Sequence, residues 1–288
     1  MKTQRGSNRM HRATAILLAV GIGLFTAHAQ AVLYGSVGGP NQSSNAGAIL
    51  TIDPTTGAGT ILGTPIAGEG ITGLVVDNSG RLIGSTATIT GDARLIEIDR
   101  ATGALVNILA FLTLDGSPAS VSDLAYNPLT GELFGNGPST DDLMKIDMST
   151  GVMTSVGAMG DHGGWAALGF DSAGTLYALG TYDSTLNTVD TADASNLTSV
   201  TLSGGPGALG LAANPSDGMI YYTDGDNPFG RTLYQVDPST GVSTSIGPIL
   251  ADNNVHDLAF APVPEPHEYA LFAGLGLIGF AAWRRRRA

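Results

Sequence analysis

Along residues 32–262 the apolar positions fall in short clusters broken by Gly, Asp, Asn, Ser and Pro, and none repeats at helical spacing. Clusters such as Leu74-Val75-Val76 and Leu82-Ile83, each followed by a polar turn, are the pattern of short strands buried on both sides. The two ends differ from this body. Ala13 to Ala27 and Tyr269 to Trp283 are longer, almost purely apolar runs.

The strand pattern repeats. An apolar-Asp-x-x-Thr-Gly motif occurs at Ile52-Asp53…Thr56-Gly57, Ile98-Asp99…Thr102-Gly103, Ile146-Asp147…Thr150-Gly151 and Val236-Asp237…Thr240-Gly241. A degenerate copy, Val189-Asp190, lacks the Thr-Gly. A second motif keeps the same beat at Leu74-Val75-Val76-Asp77, Leu124-Ala125-Tyr126-Asn127, Leu168-Gly169-Phe170-Asp171, Leu211-Ala212-Ala213-Asn214 and Leu258-Ala259-Phe260. After the first four comes an apolar pair, the last being Ile220-Tyr221, and a matching Leu33-Tyr34 stands near the start. Each unit reads as four strands. The turns have a local cause: Asp53 accepts hydrogen bonds from the turn it opens, Pro54 presets φ, and Gly57 takes the left-handed conformation.

Repeats of this length, each four strands, predict an all-β, five-bladed β-propeller over residues 30–262. The chain starts at a second strand and its body ends on a lone first strand, His256 to Ala261. The N- and C-terminal strands must therefore pair to close the ring. An open solenoid or a β-sandwich is the competing architecture.

The ends read as addresses. Lys2, Arg5, Arg9 and Arg12 precede an apolar stretch that closes on Ala27-His28-Ala29, the small-residue spacing a signal peptidase cuts, so residues 1–29 are expected to be a signal peptide. At the other end Pro264-Glu265-Pro266 leads to the apolar run 269–283 and then Arg284, Arg285, Arg286 and Arg287. Fifteen helical residues span roughly 22 Å, short of a ~30 Å hydrocarbon core but extendable by flanking residues or bilayer thinning. The arginines place that end in the cytoplasm. With both segments set aside, Arg81, Arg94, Arg100, Lys145 and Arg231 face 23 acidic residues, a net charge of −18. Such a body repels nucleic acid, anionic lipid and anionic polysaccharide, and attracts cations or basic partners. There is no cysteine, which excludes disulfides, thiolate metal sites and a cysteine nucleophile.

Residues 263–288 resemble the PEP-CTERM sorting signal of Gram-negative bacteria. That resemblance implies an exosortase-type membrane protease as partner, transient residence in the inner membrane, and a final place on the cell surface or in an extracellular, polysaccharide-rich biofilm matrix. The Leu-Ala-x-Asp, Leu-Tyr and Ile-Asp-x-x-Thr-Gly elements resemble the NHL and YVTN-type propeller repeats. The functional expectation is an exported binding or scaffold module whose partner is a polysaccharide or another surface protein. The alternative is an exported hydrolase or lyase.

Candidate chemistry gathers on one face. The loops joining second to third strands carry Asp92, Asp141, Asp142, Asp183, Asp224 and Asp226; those leading into first strands carry Asp115, Asp123, Asp161, Asp252 and Asp257, with His162, His256 and Trp165. Solvation of an acidic surface explains most of them. Asp224, Asp226 and Asn227 have the hard oxygen ligands that Ca²⁺ prefers, although Pro228 interrupts the loop and no Glu closes it. His162, His256 and Asp257 are the candidate catalytic groups. Neighbours on a strand face opposite ways, so His256 and Asp257 are not expected to cooperate. Gly204-Gly205-Pro206-Gly207 lacks the lysine of a phosphate loop.

Overall fold

The structure, a computed structural model, describes residues 31–39, 45–88, 92–137, 142–160, 166–224, 231–250 and 254–261. The expected signal peptide, the Pro-Glu-Pro element, the apolar run 269–283 and the terminal arginines lie outside the described residues. Among the described residues no helix is long and apolar enough to cross a membrane.

The body is a five-bladed propeller. Blade 1 contains β1 (Leu33–Val37), β2 (Ile49–Ile52) and β3 (Gly59–Leu62). Blade 2 is β4 (Glu69–Val76), β5 (Leu82–Thr88), β6 (Arg94–Ile98) and β7 (Leu105–Phe111). A short hairpin, β8 (Thr113–Leu114) and β9 (Ser117–Pro118), then precedes blade 3, made of β10 (Leu124–Tyr126), β11 (Leu133–Asn136), β12 (Asp142–Ile146) and β13 (Val152–Ala158). Blade 4 comprises β14 (Ala166–Phe170), β15 (Leu176–Gly180), β16 (Thr185–Val189) and β17 (Asn196–Thr201). Blade 5 comprises β18 (Ala208–Ala213), β19 (Ile220–Asp224), β20 (Thr232–Val236) and β21 (Ser243–Pro248). The last strand, β22 (Val255–Phe260), returns to blade 1 and pairs antiparallel with β1, Leu33 opposite Phe260 and Ser36 opposite Asp257. This is the ring closure expected from the strand phase.

Apolar pairs recur because the first two strands of each blade are buried on both faces, whereas the outer strands are largely exposed. Leu33 packs with Val255, Leu233 and Ala212 between blades 1 and 5, whereas its neighbour Tyr34 packs with Ile71, Leu74 and Ile96 between blades 1 and 2. Three further clusters fill the remaining interfaces. The core is thus five layers, one at each junction, and stability comes from apolar burial of the kind worth about 25 cal/mol per Å².

The turns behave as their sequences require. Asp53 Oδ1 accepts the Thr55 N–H at 2.8 Å, and Asp237 accepts those of Ser239 and its hydroxyl at 2.8 and 2.6 Å. The Thr55 and Ser239 hydroxyls hold these exposed carboxyls below the usual range. The left-handed residue closing each such turn has a second task. It abuts the end of the preceding blade's outer strand: Gly103 against the Leu62 carbonyl, Gly151 against Phe111, Gly241 against Thr201 and Gly57 against Gly247. The outer strands are therefore linked end to turn around the rim. Blade 4 breaks the rule, because Ala194 occupies the left-handed position at φ 64° and donates to the Asp190 carbonyl at 2.8 Å. The strand it meets carries Gly157, whose missing side chain leaves room for the Ala194 methyl. The conformational penalty of about 1–2 kcal/mol is partly offset by burial of the methyl in the blade 3–4 core, so Ala194→Gly is expected to stabilise the protein by less than about 1 kcal/mol, read as a higher urea midpoint at unchanged slope.

The β8–β9 hairpin is not anticipated by the repeat pattern. It pairs parallel with β13, making a six-stranded sheet, and its tip is Asp115 at φ 50° followed by Gly116. Asp115 is thereby a turn residue at the rim.

Candidate functional site

Each inner strand (β4, β10, β14, β18 and β22) is paired along one edge only. The other edge faces the axis, and its backbone groups need partners if they are to be buried. Register fixes which groups these are. Asp77, Asn127, Asp171, Asn214 and Ala261 turn their N–H groups outward to the second strand or to Val32. By alternation, the N–H groups of Leu74, Leu124, Leu168, Leu211 and Leu258 form one ring around the axis. Those of Val76, Tyr126, Phe170, Ala213 and Phe260 form a second. These residues line a channel of about 80 Å³.

Two carboxyls close the upper ring. The residue before each ring leucine is Gly73, Asp123, Ala167, Gly210 or Asp257. Asp123 Oδ1 accepts its own neighbour Leu124 N–H at 2.6 Å, and Oδ2 accepts Leu168 N–H of blade 4 at 2.9 Å. Asp257 Oδ1 accepts Leu258 N–H at 2.6 Å, and Oδ2 accepts Leu74 N–H of blade 2 at 2.5 Å. Leu124 N–H also approaches Asp257, and the two carboxyls hydrogen-bond to each other. One pair of side chains therefore ties blades 1, 2, 3 and 4 at the axis. A side chain at Gly73 would run into Leu124, and one at Gly210 into the Asp257 backbone.

A hydrogen bond between two carboxyls requires a proton, since a carboxylate has none to donate. Burial, together with the charge of Asp257, keeps the Asp123 carboxyl protonated well above the ordinary range. Burial likewise pushes Asp257 up to about 7, against the hydrogen bond with Asp123 and three backbone N–H groups that pull it down. The two titrate as a unit. Every carboxyl oxygen already accepts a backbone N–H, so the chemistry of the pair is to satisfy four of the ring's five N–H groups and hold a proton.

Thr72 of β4 and residues of the second strands add a polar layer at the same height. Thr72 Oγ1 donates to the Val121 carbonyl at 2.8 Å, Asn136 Nδ2 to that of Ala166 at 3.1 Å, and Thr223 Oγ1 accepts Gly210 N–H at 3.0 Å. Ser36, opposite Asp257, and Asn136, next to Asp123, are fully buried.

The other sequence-derived candidates scatter. His256 points away from Asp257 and lies over Gly38, where a side chain would collide with the imidazole. Its Nδ1 is buried without a hydrogen-bond partner among the described residues, and burial pulls its pKa down to about 4, leaving a neutral ring. Asp224 closes its own loop, accepting the N–H groups of Arg231 and Thr232 at 2.6 and 2.8 Å. Asp183 accepts Ser184 N–H at 2.7 Å, Asp92 is exposed, and Asp142 opens β12. Asp226, Asn227, Asp141, Asp161, His162, Trp165 and Asp252 lie outside the described residues. No group of three or more metal-binding side chains occurs among the described residues. Gly207 is explained by packing: a side chain there would run into the carbonyls of Gly180, Thr181 and Asp183.

A closed five-bladed ring plugged by an axial carboxyl pair places the chain among the repeat-built β-propellers. Residues 116–260 match DUF6923, described as a repeat of unknown function, and the chain belongs to that family. No curated protein matches it significantly. Among solved structures it is similar to a protein of unknown function from Bacteroides caccae, at 12% identity and a TM-score of 0.51, covering 82% of this chain and 100% of that one. It is also similar to a chain of a nidogen/laminin complex, at 13% identity and a TM-score of 0.51, over 81% and 99% of the two chains. At these identities the likeness is one of fold.

Proposed function

We propose that this is an exported propeller, sorted through the inner membrane by a PEP-CTERM-like tail, that serves as a binding or scaffold module on the surface or in the matrix of a Gram-negative cell. The observation that carries this reading is where the two ends leave. Ala261 N–H donates to the Val32 carbonyl at 2.9 Å, so both termini depart side by side at the end of blade 1 remote from the axial carboxyls. A tail anchored in a bilayer would then hold that face toward the membrane. The face carrying Asp92, Asp142 and Asp183 would point outward, available to cations, polysaccharide or a basic surface protein.

Cleavage by signal peptidase after Ala29 and by an exosortase-type protease near Glu265 belongs to the same reading. In cells carrying the full chain, fractionation with protease shaving is expected to find the body outside the inner membrane. Replacing Pro264-Glu265-Pro266 by alanines should leave it membrane-retained. A body shielded in the cytosol would overturn the proposal.

A further inference from the structure

We propose that Asp123 and Asp257 form a proton-locked latch on the closing strand: a proton shared across the axis holds β22 in the ring, and its loss loosens β22. The latch sits at the one place where closure is not enforced by chain continuity. Blades 2 to 5 are each built from consecutive strands, whereas blade 1 depends on β22 arriving from the far end of the chain. Asp257 is on that strand. Its Oδ2 reaches Leu74, 183 positions away in sequence, and its carboxyl partner is on blade 3.

The surroundings make the proton indispensable. The elements packed around the pair present Ser36 (β1), Leu74 (β4), Leu124 (β10), Asn136 (β11), Leu168 (β14) and Gly210 (β18), none of which titrates or carries charge. The next charges on those elements are committed elsewhere: Glu69 to Arg94, Asp77 to Arg81, and Asp224 of β19 to its own loop. His256, the neighbour on β22, is neutral and turned toward Gly38. Among the described residues no cation stands near to replace the proton, so two bare carboxylates would repel in a low-dielectric site.

The sign follows from linkage. A carboxyl raised in the closed ring contributes stability that is complete below the ordinary pKa of about 3.9 and is lost as pH rises through the raised value. For Asp257 that value is about 7. His256 works in the opposite sense, since its lowered pKa costs stability as pH falls from about 6.5 toward 4. With both carboxyls of the pair raised, the carboxyls outweigh the single imidazole.

The test is amide hydrogen exchange on the purified body between pH 5 and 8, comparing Leu258 and Ala259 with Ala178 and Leu179 of β15 in the same molecule. Protection of the β22 amides is expected to fall relative to β15 by about tenfold per pH unit. Asp123→Asn should lose most of that slope, and His256→Phe should steepen it below pH 6.5. The infrared stretch of a protonated carboxyl should be present at pH 5 and lost at alkaline pH, a measurement on the unmodified protein that does not depend on a variant folding. Equal behaviour of β22 and β15 at every pH, or the absence of that infrared band at pH 5, would overturn the latch.

Discussion

Asp257→Ala is expected to destabilise the propeller by about 4 kcal/mol, a large share of the ~5–15 kcal/mol typical of a folded domain. The substitution strips an acceptor from the Leu74 and Leu258 N–H groups and from the approach of Leu124, all at a buried edge. It also leaves Asp123 without its carboxyl partner. Each stranded buried donor costs about 1–3 kcal/mol, and alanine brings nothing to replace them. The comparison that gives the number meaning is Asp237→Ala, which removes a turn carboxyl at the surface and should cost far less, because water can take over the turn's N–H groups. Urea unfolding of the two variants side by side checks the prediction. Equal losses would mean that the axial carboxyls are no more than another pair of turn formers.

The second large effect concerns Gly210. A methyl group there would overlap the His256 carbonyl and the Asp257 backbone, because β18 and β22 approach most closely at this point. Both contacts are main chain, so no side-chain rotation relieves them. Gly210→Ala is expected to cost about 3 kcal/mol or more, through displacement of the closing strand rather than through backbone conformation. Gly68→Ala is the informative control: its φ of 77° strains an alanine, but nothing lies near the new methyl, and the cost should stay near 1–2 kcal/mol. Thermal unfolding with Gly210→Ala no worse than Gly68→Ala would show that the inner strands are less tightly packed than described.

Much of this architecture was legible because it is local. The Asp-x-x-Thr-Gly turns, the Leu-Ala-x-Asp strands and their spacing are each written within a few consecutive residues, and the strand phase at the two ends dictates closure. What the motifs left out depends on neighbours. Ala194 replaces the expected glycine, and only the apposed Gly157 explains why that is tolerable. The β8–β9 hairpin has no copy among the described residues. The axial pair was hidden differently: Asp123 and Asp257 were visible only as two among many acids of the loop face. Their relation depends on knowing that five inner edges converge on one axis. The usable signal was the residue before each repeat's leucine, acidic in two units and Gly or Ala in the other three.

Because Val32 and Ala261 touch, the polypeptide enters and leaves through one doorway. A tether on either terminus grips the same corner of blade 1, and tension applied between the two would peel β1 from β22 one hydrogen bond at a time instead of shearing the sheet. Mechanically, a pull on the two ends acts first on the seam between these strands.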